Sequence, residues 1–176
     1  MKLTPVMQKY ILHWGEMGTR WGVNRTVAQI HALLYLSTDP LHAEEISETL
    51  GVARSNVSTS LKELQSWGLV KVIHVLGDRR DHFQSQKELW DIFLVIIEER
   101  KKREIDPTLT MLRECVLESE HDNKTSEEVK ARIHNTLEFM ELLTGWYDQM
   151  KKLPQPILVK IMRLGAKVQN FIGNKT

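Results

Sequence analysis

Apolar side chains recur every three or four residues through the first part of this chain, which is the spacing of helices with one buried face. A first helix is predicted over residues 5–17, and glycines at positions 15, 18 and 22 are expected to break it. Asn24 caps a second helix, which Asp39-Pro40 ends. Two shorter helices at residues 43–50 and 54–67, joined by a glycine turn, are expected to share a core made of Ile46, Leu50, Val57, Leu61 and Leu64.

The period changes after Gly68. Residues 69–75 (LVKVIHV) are rich in β-branched side chains and predict a strand. Residues 77–80 read as a turn, and residues 81–85 can pair back as a second strand. No other part of the sequence predicts a hairpin.

The rest of the chain returns to helical spacing. A fifth helix begins near Leu89 and is expected to end near Asp106-Pro107, and a sixth follows at residues 109–117. Thr125 and Glu128 form a predicted capping box for a seventh helix, and Pro154 opens an eighth. The predicted fold class is therefore mainly α with a small β-hairpin.

The composition fits a protein with a buried core, since 41% of its 176 residues are hydrophobic and 27% are charged. Its single cysteine, Cys115, excludes an internal disulfide. We find neither a signal peptide nor an apolar run long enough to cross a bilayer, so a cytosolic protein is expected, with no membrane partner.

A metal sensor would require the fold to bring Cys115, His121 and His134 together. No catalytic or phosphate-binding motif is present, so we expect neither an enzyme, nor a cofactor, nor a metal.

The net charge of +1 hides a basic window at residues 54–87, which hold six basic side chains and three acidic ones. Such a patch on a neutral protein is typical of nucleic-acid binding, although chance clustering gives the same count.

Two helices joined by a tight turn and followed by a hairpin form the winged helix-turn-helix arrangement. The helix face opposite Val57, Leu61 and Leu64 carries mostly short polar side chains, which let a helix fit into a DNA major groove. The candidate DNA-binding residues of this helix are Arg54, Ser55, Asn56, Ser58, Thr59 and Lys62.

The hairpin turn supplies the second candidate group. Arg79 and Arg80 can enter a minor groove, and Asp78 can hold the guanidinium of Arg80 by a charge-assisted pair. The alternative for both groups is an ordinary solvated surface.

Two stretches carry a family resemblance. Residues 41–83 (LHAEEISETLGVARSNVSTSLKELQSWGLVKVIHVLGDRRDHF) resemble the DNA-binding core of MarR-type regulators. Residues 14–37 (WGEMGTRWGVNRTVAQIHALLYLS) resemble the GbsR branch more narrowly, in which a glycine-punctuated first helix precedes a helix ending in a Leu-Leu-Tyr-Leu-Ser run. Asp78 and Arg80 match the family's Asp-x-Arg wing motif. Ala53 departs from the pattern, because such sequences commonly have a serine cap there.

This resemblance implies a homodimeric transcriptional regulator. Such a regulator is a ligand-responsive repressor that binds double-stranded DNA sequence-specifically, at a near-palindromic operator. The implied organisation is an N-terminal dimerisation helix (1–23), a DNA-binding domain (24–86) and a C-terminal helical dimerisation and effector region (87–176). A monomeric helical bundle is the alternative to the dimer. A protein-interaction module without sequence-specific DNA binding is the alternative to the regulator.

The GbsR branch is associated with choline-like compounds and with control of osmoprotectant (choline and glycine betaine) genes, which raises the possibility of an aromatic cage for a quaternary ammonium effector. Ordinary core packing is the alternative role for these rings. The candidate effector-binding residues are Trp14, Trp21, Trp90, Trp146 and Tyr147.

Overall fold

The computed structural model describes residues 1–172, and for residues 165–172 it describes the backbone alone. The chain divides into two compact units, Met1–Ile97 and a second that begins at Glu98. Its mainly helical architecture with one small sheet confirms the predicted fold class. The elements are α1 (Pro5–Arg20), α2 (Arg25–Leu36), β1 (Leu41–His42), α3 (Ala43–Leu50), α4 (Arg54–Ser66), β2 (Val70–Ile73), β3 (His82–Ser85), α5 (Leu89–Arg100), a π-helical turn (Lys101–Ile105), α6 (Asp106–His121), α7 (Glu127–Met150) and α8 (Gln155–Ile172).

The core of the first unit is built around α2, whose Ile30 and Leu33 are fully buried. Ile11 of α1 joins the same core. Four of the five residues expected to hold the helix-turn-helix together are buried in it: Ile46, Val57, Leu61 and Leu64. Leu50 is only half-buried and packs against the edge of this core.

The first helix corrects the prediction, because α1 continues through Gly15 and Gly18 to Arg20. Both glycines are buried where α1 crosses α2. A Cβ atom at Gly18 would lie 2.5 Å from the Cβ of Ala28, so these positions allow the two helices to approach closely. Gly22, with a φ of +75°, lies in the turn after the helix.

The sheet has the order β1-β3-β2, and both pairs are antiparallel. The predicted hairpin is confirmed as β2 and β3, with strands shorter than expected. We did not predict β1, which pairs Leu41 with Phe83 and His42 with His82. The central strand β3 is therefore hydrogen-bonded both to β2, its partner in the hairpin, and to β1, which directly precedes α3.

In the second unit, α6 packs on α7 through Leu109, Leu112 and Leu137. The prediction that Thr125 caps the seventh helix was wrong. Ser126 caps α7 by accepting a hydrogen bond from the backbone N–H of Val129. The hydroxyl of Thr125 instead donates to Asp122. Among the residues described, no helix is long and apolar enough to span a bilayer.

Candidate nucleic-acid interface

Helix α4 presents the polar face that its sequence predicted. Val57, Leu61 and Leu64 are buried beneath it. Because residues half a helical turn away point outward, the face is open to solvent. Arg54, Ser55, Asn56, Thr59 and Lys62 are exposed and Ser58 is half-buried. Their contact with DNA stays a prediction.

The start of α4 lacks a side-chain cap, since Ala53 occupies the N-cap position and makes no capping hydrogen bond. The next residue, Arg54, forms an ion pair with Glu44 of α3. Sequence analysis missed Glu44, which lies ten residues before Arg54 and on another helix. An acidic side chain thus holds the first cation of the predicted DNA-binding face.

At the hairpin turn, Asp78 and Arg80 form the pair that the sequence suggested. The Nε of Arg80 donates to the Oδ1 of Asp78 at 2.9 Å, and the backbone N–H of Arg80 donates to the same oxygen at 3.0 Å. These hydrogen bonds hold the pKa of Asp78 well below its usual range. The side-chain hydrogen bond to Asp78 also raises the pKa of Arg80. Arg79 is exposed beside this pair.

His42 is the second residue that sequence analysis missed. It occupies the N-cap of α3, and the carboxylate of Glu45 accepts its backbone N–H at 3.0 Å. Its side chain is 11% exposed. The Nη1 of Arg80 lies 2.9 Å from its Nε2, and the ring of His82 packs edge-on against it at 5.5 Å. The His-x-x-Glu spacing was a signal for the cap, but nothing in the sequence pointed to Arg80.

Helix α4 and the wing, which is the β2–β3 hairpin with its turn, border one cleft of about 300 Å³. Leu61, Val72 and Phe83 contribute its apolar floor. Its polar walls come from three elements: Arg54, Ser58, Lys62 and Gln65 of α4, Glu44 of α3, and Arg80 and Asp81 of the hairpin. Two of the predicted site groups, the helix face and the wing arginine, therefore border a single concave surface.

The five aromatic residues proposed for an effector have different surroundings. Trp14 and Trp21 meet edge to face at 6.3 Å, and Tyr10, which we did not predict, meets Trp14 at 5.8 Å. The ring of Trp90 packs against Phe93. The hydroxyl of Tyr147 lies 3.4 Å from a carboxylate oxygen of Glu98, and Trp146 is 62% exposed.

The structure does not support the metal-sensor hypothesis. In the described part of the chain, no group of three His, Cys, Asp or Glu side chains is placed so that it could hold a metal ion. The thiol of Cys115 lies 3.5 Å from the sulfur of Met111.

Comparison with known proteins shows which proteins this chain is similar to. The MarR family model matches residues 21–81. The chain is similar to the HTH-type transcriptional repressor GbsR of Bacillus subtilis strain 168, with 22% identity over 140 residues that cover 78% of this chain and 77% of that protein. It is also similar to the putative HTH-type transcriptional regulator YvaV of the same strain, with 17% identity over 135 residues, or 76% of each chain.

Among solved structures, a crystal structure described as a transcriptional regulator matches with a TM-score of 0.60 and 16% identity, covering 82% of this chain and 99% of that one. At that identity the match supports the fold. Residues 21–81 are thus similar to the MarR family model, and the helices, turn and hairpin of this region have the fold of a winged helix-turn-helix.

Proposed function

We propose that this protein is a sequence-specific, double-stranded DNA-binding transcriptional regulator. The observation that carries the proposal is the common cleft bordered by Arg54, Ser58 and Lys62 of α4 and by Arg80 of the wing. The similarity to a protein named as a transcriptional repressor supports the same function and favours repression.

In the proposed complex, α4 lies in the major groove. Short hydroxyl and amide side chains let the helix axis approach the bases, and Asn56 can bond an adenine through two hydrogen bonds. Arg54 and Lys62 contact phosphates or guanine. The wing lies over the neighbouring minor groove, where the narrow A·T geometry concentrates negative potential that attracts Arg79 and Arg80.

The regulator is proposed to be a homodimer. Large apolar side chains of the second unit are exposed in the single chain, including Leu142 at 69% and Phe139 at 58%. Burying such faces against a second copy removes them from water, and two-fold symmetry then places two α4 helices about one DNA turn apart. Sedimentation analysis should give a dimer, and Leu142→Glu should shift it towards monomer, whereas a wild-type monomer would refute this part.

A ligand response is proposed to use the cluster of Tyr10, Trp14 and Trp21. Aromatic faces attract quaternary ammonium ions by cation–π interaction, so choline and glycine betaine are the first compounds to test as regulators of osmoprotectant genes. Either compound should change operator affinity in the wild-type protein and not in Trp14→Leu. No change with either compound would remove this ligand class.

The main experiment is selection of binding sites from a random duplex library. We expect enrichment of a near-palindromic motif with nanomolar, salt-sensitive affinity. Arg80→Ala should weaken binding about tenfold or more, since an arginine at the DNA contributes about 1–3 kcal/mol. Lys9→Ala, which removes an exposed charge on α1, is the matched control and should bind as wild type. Failure to enrich any motif would instead favour a protein-interaction module.

A further inference from the structure

A continuous series of polar contacts joins the wing to the first residue of α4. Arg80 contacts His42 through Nη1 and Nε2 at 2.9 Å. The other ring nitrogen of His42, Nδ1, lies 3.0 Å from the Oε2 of Glu44. The second oxygen of Glu44 pairs with Arg54. The two arginines that border the cleft, one on α4 and one on the wing, are thus linked by two intervening side chains.

The contacts around His42 select one form of its neutral ring. Arg80 can only donate, so Nε2 must accept, and the proton must then be on Nδ1, from which it is donated to Glu44. The opposite tautomer would let Nδ1 accept from the backbone N–H of Glu45 and Nε2 donate to the Oε2 of Glu45, but both distances are 3.4 Å. It would also set two donors against each other at 2.9 Å. The shorter contacts therefore favour the Nδ1–H form.

His42 does for Arg80 what Asp78 cannot do. Asp78 lies on the same turn, so its pair with Arg80 fixes the guanidinium only relative to the wing tip. His42 belongs to the helix-turn-helix, and its ring is immobilised by burial, by the β1–β3 pairing and by the ring of His82. A contact to this ring fixes the guanidinium relative to α4 as well.

We propose that His42 and Glu44 are positioning residues that set the separation of Arg54 and Arg80, and thereby determine which spacing of groove contacts the protein accepts. The proposal rests on the proposed DNA-binding function. It also explains one of the two acidic side chains in a cleft that is proposed to face phosphates: Glu44 holds one arginine directly and the other through His42.

Two substitutions separate this role from helix capping. His42→Asn keeps a strong N-cap residue for α3, but its side chain is too short to reach Arg80. His42→Gln is a weak cap, but its amide oxygen falls close to the position of Nε2. We expect the asparagine variant to lose about fivefold to tenfold in operator affinity with an unchanged Tm. The glutamine variant should bind near wild type.

A residue that acts only as a cap predicts the reverse order: asparagine would be harmless and glutamine harmful to both properties. A double-mutant cycle adds a second test, because His42→Asn should cause no further loss in an Arg80→Ala background. Wild-type affinity of His42→Asn, alongside weakened binding by Arg80→Ala, would overturn the positioning role while leaving the proposed function intact.

The free protein gives a readout that does not need DNA. Long-range ¹H–¹⁵N spectra of the His42 ring should show the Nδ1–H form in the wild type and a loss of this preference in Arg80→Ala. If no DNA motif is selected, the proposed function fails, and the tautomer still tests the contact. An Nε2–H ring in the wild type would overturn the inference by itself.

Discussion

His31 should make the first unit less stable as the pH falls through the mildly acidic range. The Nε2 of its ring is buried in α2, without a hydrogen-bond partner among the residues described. Burial, and then the positive charge of Lys87, lower the pKa of His31 from 6.5 to about 4. The folded protein therefore resists a proton that the unfolded chain accepts.

The sign and size of the effect follow from this difference. Between the two pKa values the unfolded state binds more protons, so the free energy of unfolding falls as the pH falls. For one group with these pKa values, the loss from about pH 7.5 to about pH 5 is about 2 kcal/mol. Ordinary carboxylates remain ionised above about pH 5, which keeps this window largely free of their contribution.

Urea denaturation followed by tryptophan fluorescence measures the effect, because Trp14, Trp21 and other tryptophans lie in the first unit. In His31→Phe the ring cannot ionise, so about 2 kcal/mol of the pH dependence over this window should vanish. His13→Phe changes an exposed histidine on α1 and should leave it intact. Equal pH dependence in the wild type and His31→Phe would refute the assignment of a depressed pKa to His31.

Three further changes test the packing and the helix ends by thermal or urea unfolding. Gly18→Ala should cost about 1–3 kcal/mol, because its Cβ would overlap Ala28. Gly145→Ala is the matched control: with nothing within 4 Å, it should stabilise α7 by about 0.5–1 kcal/mol, and an equal cost at both sites would contradict the packing argument. Ala53→Ser should add about 1 kcal/mol by supplying the missing cap of α4; no gain would mean that the open N–H groups are already well solvated. Lys87→Met should cost about 1–3 kcal/mol, because the ammonium donates to three backbone carbonyls at the end of α2, and unchanged stability would show that water replaces it.

The helix-turn-helix and its hairpin were predictable because their signals are local. Val57, Leu61 and Leu64 repeat at helical spacing and are buried as a set, and the change to β-branched residues at position 70 marks the strand. The Asp78–Arg80 pair spans two residues and follows from the turn alone.

The remainder depends on contacts that are distant in the chain. Strand β1 has two residues, too few to show alternation, and exists because β3 lies beside it. The contact between His42 and Arg80 joins residues 38 positions apart. Gly18 lies inside a helix against its intrinsic preference, because close packing against Ala28 outweighs the conformational cost.

The position of β3 between β1 and β2 has a consequence for protein engineering. A hairpin transplanted alone into a similar protein would carry His82 without β1 and Arg80 without the ring that it contacts. The smallest module that preserves these relationships runs from Leu41 to Ser85. Chimaeras that test the proposed function by exchanging this module should therefore be joined before β1, where the chain leaves α2, and after β3.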